Sequence, residues 1–528
     1  ANDGNTESAS ATVTITVTVL LVQEDPEIIF NDFQKSLSSS AFTPPIESNS
    51  SGAFSYTSSN PSVATVSGTT ITVLGIGETT ITATQEATER HNTLSASANL
   101  TVYNDQAWIA RVLGSDIDGE AEIDQSGYAV SLSSDGTILA IGALNNDGNG
   151  NNSGHVRVYT YNGTDWDQLG TDIDGEAAGD QSGRSLSLSS DGTVLAIGGY
   201  ANDGNGNASG HVRVFAYNGS DWEQLGADID GEAEIDLSGR SVSLSSDGTI
   251  VAIGANQNDG NGSGSGHVRV YAYNGTDWSQ LGSDIDGEAA GDLSGVSVSL
   301  SSDGTILAIG ALNNDGNGNN SGHVRVYAYN GSDWSQLGAD IDGEAEGDQS
   351  GISISLSSDG TVLAIGAQFS DGNGTDSGQV RVYTYNGTDW TQLGSDIDGE
   401  AAGDRSGSAV SLSSDGTVLA IGAFNNDGNG MNSGHVRVYA YNGTDWSQLV
   451  TDIDGEAAAD QSGFSVSLSS DGTILAIGAP LNDGNGTDSG HVRVYNLTNY
   501  SPAVADLSVT TNEDTVLTFT LTGSDIEE

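Results

Sequence analysis

Alternating small, apolar and polar side chains dominate this chain. In residues 129–133 small and apolar side chains alternate, which predicts a half-buried strand. Asp135-Gly136 is a two-residue turn signal. Residues 138–143 are apolar on both faces and predict a second strand, buried from two sides. A loop rich in glycine and asparagine follows, 145–154. Residues 155–161 predict a third strand, with Val156 and Val158 on one face and Arg157 and Tyr159 on the other. Asn162-Gly163 is the strongest short hairpin signal, and 166–169 predict a fourth strand. A loop over 172–183 leads onward. No helical period appears, so the unit is four antiparallel strands.

This unit recurs. The string SSDGT places Asp135, Asp191, Asp247, Asp303, Asp359, Asp415 and Asp471 at a fixed step of 56 residues. Trp166, Trp222, Trp278, Trp334, Trp390 and Trp446 keep the same step. So do the arginines of VRV: Arg157, Arg213, Arg269, Arg325, Arg381, Arg437 and Arg493. Seven four-stranded units of one length predict an all-β fold, a seven-bladed β-propeller. An open β-solenoid is the weaker alternative. The last unit lacks the YNGTDW hairpin, while residues 107–113 supply an orphan strand before the first unit. That orphan strand is expected to complete the last blade, although Trp108 sits two residues off the repeat register. The two long loops of each unit fall at one end of the meander and the two tight turns at the other.

Four segments follow: 1–21, 27–103, 104–499 and 504–528. The first holds the single alternating strand ATVTITVTVL, which resembles the last strand of a cadherin-like domain. TNEDTVLTFTLTGSDIEE, within 504–528, resembles the start of another. Both ends are therefore expected to be cut domains of a longer protein. Residues 56–84, YTSSNPSVATVSGTTITVLGIGETTITAT, resemble the bacterial immunoglobulin-like domains of group two, which implies a small β-sandwich acting as a stalk. The repeats resemble FG-GAP repeats of integrin-alpha-like propellers. GFSVS at 463–467, Gly478-Ala479-Pro480 and GHVRVY at 490–495 stand at that family's motif positions. The family's calcium loop lies between its first two strands. Here only the SSDGT turn occupies that place, so that site does not carry over.

Composition narrows the function. The 72 acidic residues face 13 basic ones, a formal net charge of −59. Such a surface repels nucleic acid and anionic lipid headgroups. There is no cysteine, hence no disulfide, thiolate zinc site or cysteine nucleophile. No apolar run is long enough to span a bilayer, so direct membrane insertion is not expected. Asp116, Asp118, Glu120 and Asp124 stand at relative positions 1, 3, 5 and 9 of a glycine-containing loop. Asp172, Asp174, Glu176 and Asp180 repeat the pattern. Such carboxylates could cage Ca²⁺; the alternative is that they accept backbone N–H bonds and cap turns. The NDGNG loop, 146–150, is a weaker calcium candidate, because asparagine and glycine suit tight turns without metal.

The histidine column reads His155, His211, His267, His323, His435 and His491, with Gln379 in the fifth unit. Glutamine in that place argues against a metal or catalytic role and for a hydrogen bond to a neighbouring loop. The arginine column is expected to pair with acidic loops, and the tryptophans to pack between blades. SSDGT faintly resembles a sialidase aspartate box, but a glycosidase needs two carboxylates in unlike environments. Here each carboxylate column recurs in near-identical surroundings, so no enzyme is expected.

The units differ mainly in two columns. The residue after SG is Tyr128, Arg184, Arg240, Val296, Ile352, Ser408 or Phe464. The residue after IGA or IGG is Leu144, Tyr200, Asn256, Leu312, Gln368, Phe424 or Pro480. Both columns belong to the long-loop end, where binding residues on rigid scaffolds concentrate. Tyr128, Arg184, Arg240, Tyr200 and Phe424 are therefore the candidate ligand contacts. Plain tolerance of change at a rim, or aromatic side chains plugging the channel, are the structural alternatives. The expected protein is a non-catalytic, secreted cell-surface adhesion module that binds a glycan or protein, resembling giant adhesins of Bacteroidetes. A structural spacer or a self-assembling homo-oligomer of a surface appendage is the alternative, and a glycosidase-like enzyme comes third.

Overall fold

A computed structural model describes residues 24–37, 39–75, 77–103 and 108–499. The two segments expected to be cadherin-like, 1–21 and 504–528, lie outside the described residues, as does Ala107 of the orphan strand. The described chain forms two compact units, the second spanning Trp108–Thr498.

In the first unit Phe33–Ser36 runs parallel to Leu94–Tyr103, which pairs antiparallel with Gly77–Gln85 and, through it, with Phe54–Ser58. Period-two burial sends Thr79, Ile81, Ala83 and Gln85 inward. A hairpin of Ala64–Ser67 and Thr70–Val73 supplies Ile71 and Val73 to the same core as Ile81 and Leu100. Gln85 is buried but satisfied. Its amide donates to the Ser50 and Gly52 carbonyls and accepts from Ser48.

The second unit is a series of seven sheets, all β among its described residues. In the first, Ser126–Leu132, Ile138–Ala143, His155–Tyr161 and Trp166–Gln168 pair in sequence order, all antiparallel. One expectation needs correction. The outer strand does not end near Leu169, because Ile173–Asp174 returns to pair with His155 and Val156. Each sheet therefore has five strand segments. Gly170, at φ +80°, turns the chain out of line. The excursion is held by Asp221 of the next sheet, whose carboxylate accepts the Thr171 N–H at 2.9 Å.

The core lies between consecutive sheets, which is why the second strand is apolar on both faces. Ala140, Val156 and Val158 of the first sheet cluster with Leu186, Leu188, Leu195 and Ile197 of the second. Leu139 and Ile141 turn the other way, to Ile474, Ala476, Val492 and Val494 of the seventh. Six of the tryptophans bridge sheets as well. Trp166 Nε1 donates to the Leu113 carbonyl at 2.8 Å and its ring packs on Tyr161.

Backbone bonds run sheet to sheet through the SSDGT turns. Ser134 N–H donates to Ser190 O, and the step repeats through Ser246, Ser302, Ser358, Ser414 and Ser470. Ser470 N–H donates to Ser134 O at 2.8 Å, so the series returns to its start. The two ends of this unit meet in the seventh sheet, where Trp108–Val112 and Ile117–Asp118 pair with His491–Asn499.

Neighbouring sheets approach closely where Gly142 faces Gly183. A Cβ on Gly142 would stand 2.0 Å from the Gly183 carbonyl oxygen. Gly142→Ala is therefore expected to cost about 3 kcal/mol, the upper end for overpacking, measured by denaturant unfolding. Wild-type stability in that variant would refute the close packing.

Candidate functional site

The residue after each SG is delivered by a backbone kink. Gln125 and Gly127 both take positive φ, 56° and 86°, and the pairing register shifts between Ser126 and Ala129. The same pair of angles recurs at Gln181 and Gly183. Tyr128, Arg184, Arg240 and Phe464 are thereby set at the inner edge of their sheets. They line a cavity of about 510 Å³ to which all seven sheets contribute. Phe424, immediately after Val418–Ala423, lines it too. Tyr200 stands behind the lining, its ring 4.7 Å from the Arg184 guanidinium.

These side chains form a continuous half-buried arc. From Tyr200 it passes through Arg184 to Tyr128, 5.1 Å from guanidinium to ring. Tyr128 meets Phe464 at 4.7 Å, and Phe464 meets Phe424 at 5.5 Å. Arg405 continues it, 5.7 Å from Phe424 and 4.9 Å from Phe369. The Tyr128 hydroxyl accepts a hydrogen bond from Arg184 Nη1. Arg240 is pulled down to about 10, first by burial and then by the like charge of Arg184.

Arg405 and Phe369 escaped the sequence reading. A signal existed, since Arg405 stands where the other repeats have glutamine or leucine. Part of the second variable column is simply core: Leu144 and Leu312 are buried. At the other end, a smaller cavity of about 150 Å³ is lined by one leucine and one serine from each sheet. Sevenfold repetition survives there and is broken at the kinked end.

The carboxylates expected to share one calcium cage go to separate partners. Asp116 accepts Arg493 Nε at 2.9 Å. Asp118 lies in a strand opposite His491. Asp124 is buried and accepts the Ala121 N–H and the Asn146 amide. Glu120 approaches His155 Nδ1 at 3.7 Å and Arg157 at 3.8 Å. In the next loop Asp172 accepts the Gln168 amide and Asp174 lies opposite His155. Glu176 approaches His211, and Asp180 accepts the Ala177 N–H and the Asn202 amide. Burial raises Glu120 and Asp124 above the usual carboxylate range.

Glu120, Asp172 and His155 do converge, as do Glu176, Asp180 and His211. Two carboxylates and an imidazole do not match the all-oxygen shell of Ca²⁺, and in the first group a guanidinium stands beside them. In the NDGNG loop, Asn146 Oδ1 accepts the Gly148 N–H, an ordinary side-chain turn.

The histidine column is buried and neutral. His155 and His211 are each pulled down to about 4, chiefly by burial and then by the adjacent arginine. Its closest acidic neighbour is a glutamate at 3.7 Å, longer than the expected hydrogen bond. The arginine column reaches backward mainly to backbone, as Arg157 Nη2 does to the Asp118 carbonyl at 2.7 Å. Glutamate approaches are secondary.

Comparison with known proteins agrees in part with these features. Residues 35–95 match the bacterial Ig-like domain (group 2), and residues 397–439 and 447–495 match the FG-GAP repeat. The chain thus carries a bacterial immunoglobulin-like domain and FG-GAP repeats. No curated protein matches. Similar solved structures include the periplasmic gluconolactonase PpgL of Pseudomonas aeruginosa, at 18% identity and TM-score 0.45. That match covers 63% of this chain and 86% of the other. A putative 6-phosphogluconolactonase of Bacteroides uniformis matches at 12% identity and TM-score 0.43, covering 71% and 92%. U3-55K matches at 13% and 0.45, covering 73% and 100%.

Proposed function

We propose that Trp108–Thr498 is a closed seven-bladed β-propeller serving as a non-catalytic adhesion module of an extracellular, cell-surface protein. Closure is supported by the serine series that returns from Ser470 to Ser134 and by the core shared between first and seventh sheets. The observation that carries the binding role is where the repeats stop being alike. Near-identical units diverge into an arc of arginine and aromatic side chains at one cavity of about 510 Å³. Half-buried aromatic and arginine groups in a concavity are what recognition surfaces use. The partner is a glycan or protein. The residues lining the cavity include neither carboxylate nor histidine, which favours binding over acid–base chemistry.

The test is a glycan array and a cell-adhesion assay. Wild type is compared with a variant carrying alanine at Tyr128, Arg184, Tyr200, Arg240 and Phe424. Adhesion is expected to fall at least about tenfold, a modest loss for several contacts of this type, with folding intact by circular dichroism. Unchanged adhesion would defeat the proposal. An EDTA arm accompanies it, because the acidic loops at this end were expected to hold Ca²⁺. Unchanged binding and melting in EDTA would end that expectation.

A further inference from the structure

Arginines are scarce here, and their distribution is uneven. Of twelve, seven form the VRV column, and Arg90 and Arg111 precede the repeats. The remaining three, Arg184, Arg240 and Arg405, all line the one symmetry-breaking cavity. Acidic groups outnumber basic ones 72 to 13, so an arginine placed at random would find a carboxylate. Six of the seven VRV arginines do have a glutamate within 4.0 Å. None of the three cavity arginines has a carboxylate within that distance among the described residues. Arg184 also stands near enough to Arg240 to disfavour its charge. Two guanidinium groups on neighbouring sheets, lining one cavity and each without a carboxylate within 4.0 Å among the described residues, suit an anion from outside.

Building on the binding role proposed above, we infer that the cavity takes an anionic saccharide. Its carboxylate or sulfate would be gripped by Arg184 and Arg240, and a sugar ring would lie on the Tyr128–Phe464–Phe424 arc. Guanidinium groups match both anions through paired N–H donors, and aromatic faces suit the C–H side of a sugar ring. Around the seven sheets, Arg405 on the sixth is separated from Arg184 and Arg240, on the second and third, by two sheets in either direction. It would receive a second acidic residue of the same chain. The volume fits a short oligosaccharide segment.

The test is calorimetric titration of the full chain at about 0.15 M salt, where the long-range repulsion from the acidic surface is screened within about 8 Å. The probes are tetragalacturonate, its methyl ester, galactose 6-sulfate and inorganic sulfate. The variants are Arg184→Ser with Arg240→Ser, and Arg405→Gln. Serine and glutamine are the residues other repeats carry in those places, so both variants keep the fold. Tetragalacturonate or the sulfated sugar is expected to bind, with the neutral ester at least about tenfold weaker and the double variant losing a similar factor. Which of the two acids binds more tightly separates carboxylate from sulfate as the natural group. Equal binding of acid and ester would overturn the anionic assignment and leave the adhesion role standing. Inorganic sulfate binding as tightly as the sulfated sugar would overturn the saccharide assignment. No binding of any probe, with adhesion still lost in the alanine variant, would overturn this inference alone.

Discussion

The unfolding midpoint of the repeat unit is expected to fall by about 6 °C when residues 108–112 are replaced by glycine and serine. Trp108–Val112 is an outer strand of the seventh sheet, contributed from the opposite end of the repeat unit. Trp108 and Ala110 pack beside Val450, Leu475, Tyr495 and Leu497. Losing the strand strips several backbone bonds from His491–Asn499, each worth about 1 kcal/mol net. It also exposes part of an aromatic ring worth about 2 kcal/mol of burial. Together that is about 5 kcal/mol, set against an unfolding entropy of about 0.8 kcal/mol/K for a unit this long. The freed strand edge is a template for another chain, so a concentration-dependent dimer is expected in sedimentation. A variant that melts as wild type and stays monomeric would show that the strand does not secure the seventh sheet.

Acid is expected to destabilise this protein between pH 6.5 and 4 through its buried histidines. His155 and His211 have folded-state values of about 4 against 6.5 when free. His267, His323, His435 and His491 are lowered by burial too. In this window the unfolded chain binds a proton at each site and the folded chain does not. Stability is therefore full above pH 6.5 and is lost as pH falls, by about 1.4 kcal/mol per unit for each histidine. At pH 4 the two quantified sites together account for about 6 kcal/mol. Glu120, Asp124 and Glu176 oppose this, because raised carboxylates favour the folded state as they protonate. Their effect falls in the acid part of the same window, as pH drops through their raised values toward the ordinary carboxylate range, and offsets part of the loss.

The fifth sheet suggests the control. Gln379 occupies the histidine place and its amide donates to Asp398 at 3.3 Å. His155→Gln with His211→Gln should fold normally and flatten the stability profile between pH 6.5 and 4 by about 6 kcal/mol. Chemical denaturation at pH 7, 5.5 and 4 measures it. A double variant that keeps the wild-type slope would place the acid sensitivity elsewhere.

Much of the fold was legible in the chain because each unit is local. A strand alternates, Asp-Gly and Asn-Gly turn it back, and pairing within one sheet spans few residues. Seven copies at one spacing made the strands, the turns and the doubly buried second strand readable. The broken outer strand was not readable. It depends on Gly170 and on Asp221, which lies 50 residues beyond Thr171. Distance in sequence also hid the fate of the acidic loops. The neighbours of the adjacent carboxylates come from far along the chain or from another loop: Asp116 meets Arg493, Asp124 meets Asn146 and Glu120 approaches His155. Variation between repeats singled out five residues, and four of them line the cavity at one end of the repeat unit. Only tertiary structure could join residues from distant repeats, such as Tyr128 and Phe464, into one surface. Sequence determined the unit and where units differ, because both are set by near neighbours. The cavity, its three arginines without a carboxylate partner among the described residues, and the contact of the last sheet with the first were decided by packing between units far apart in the chain.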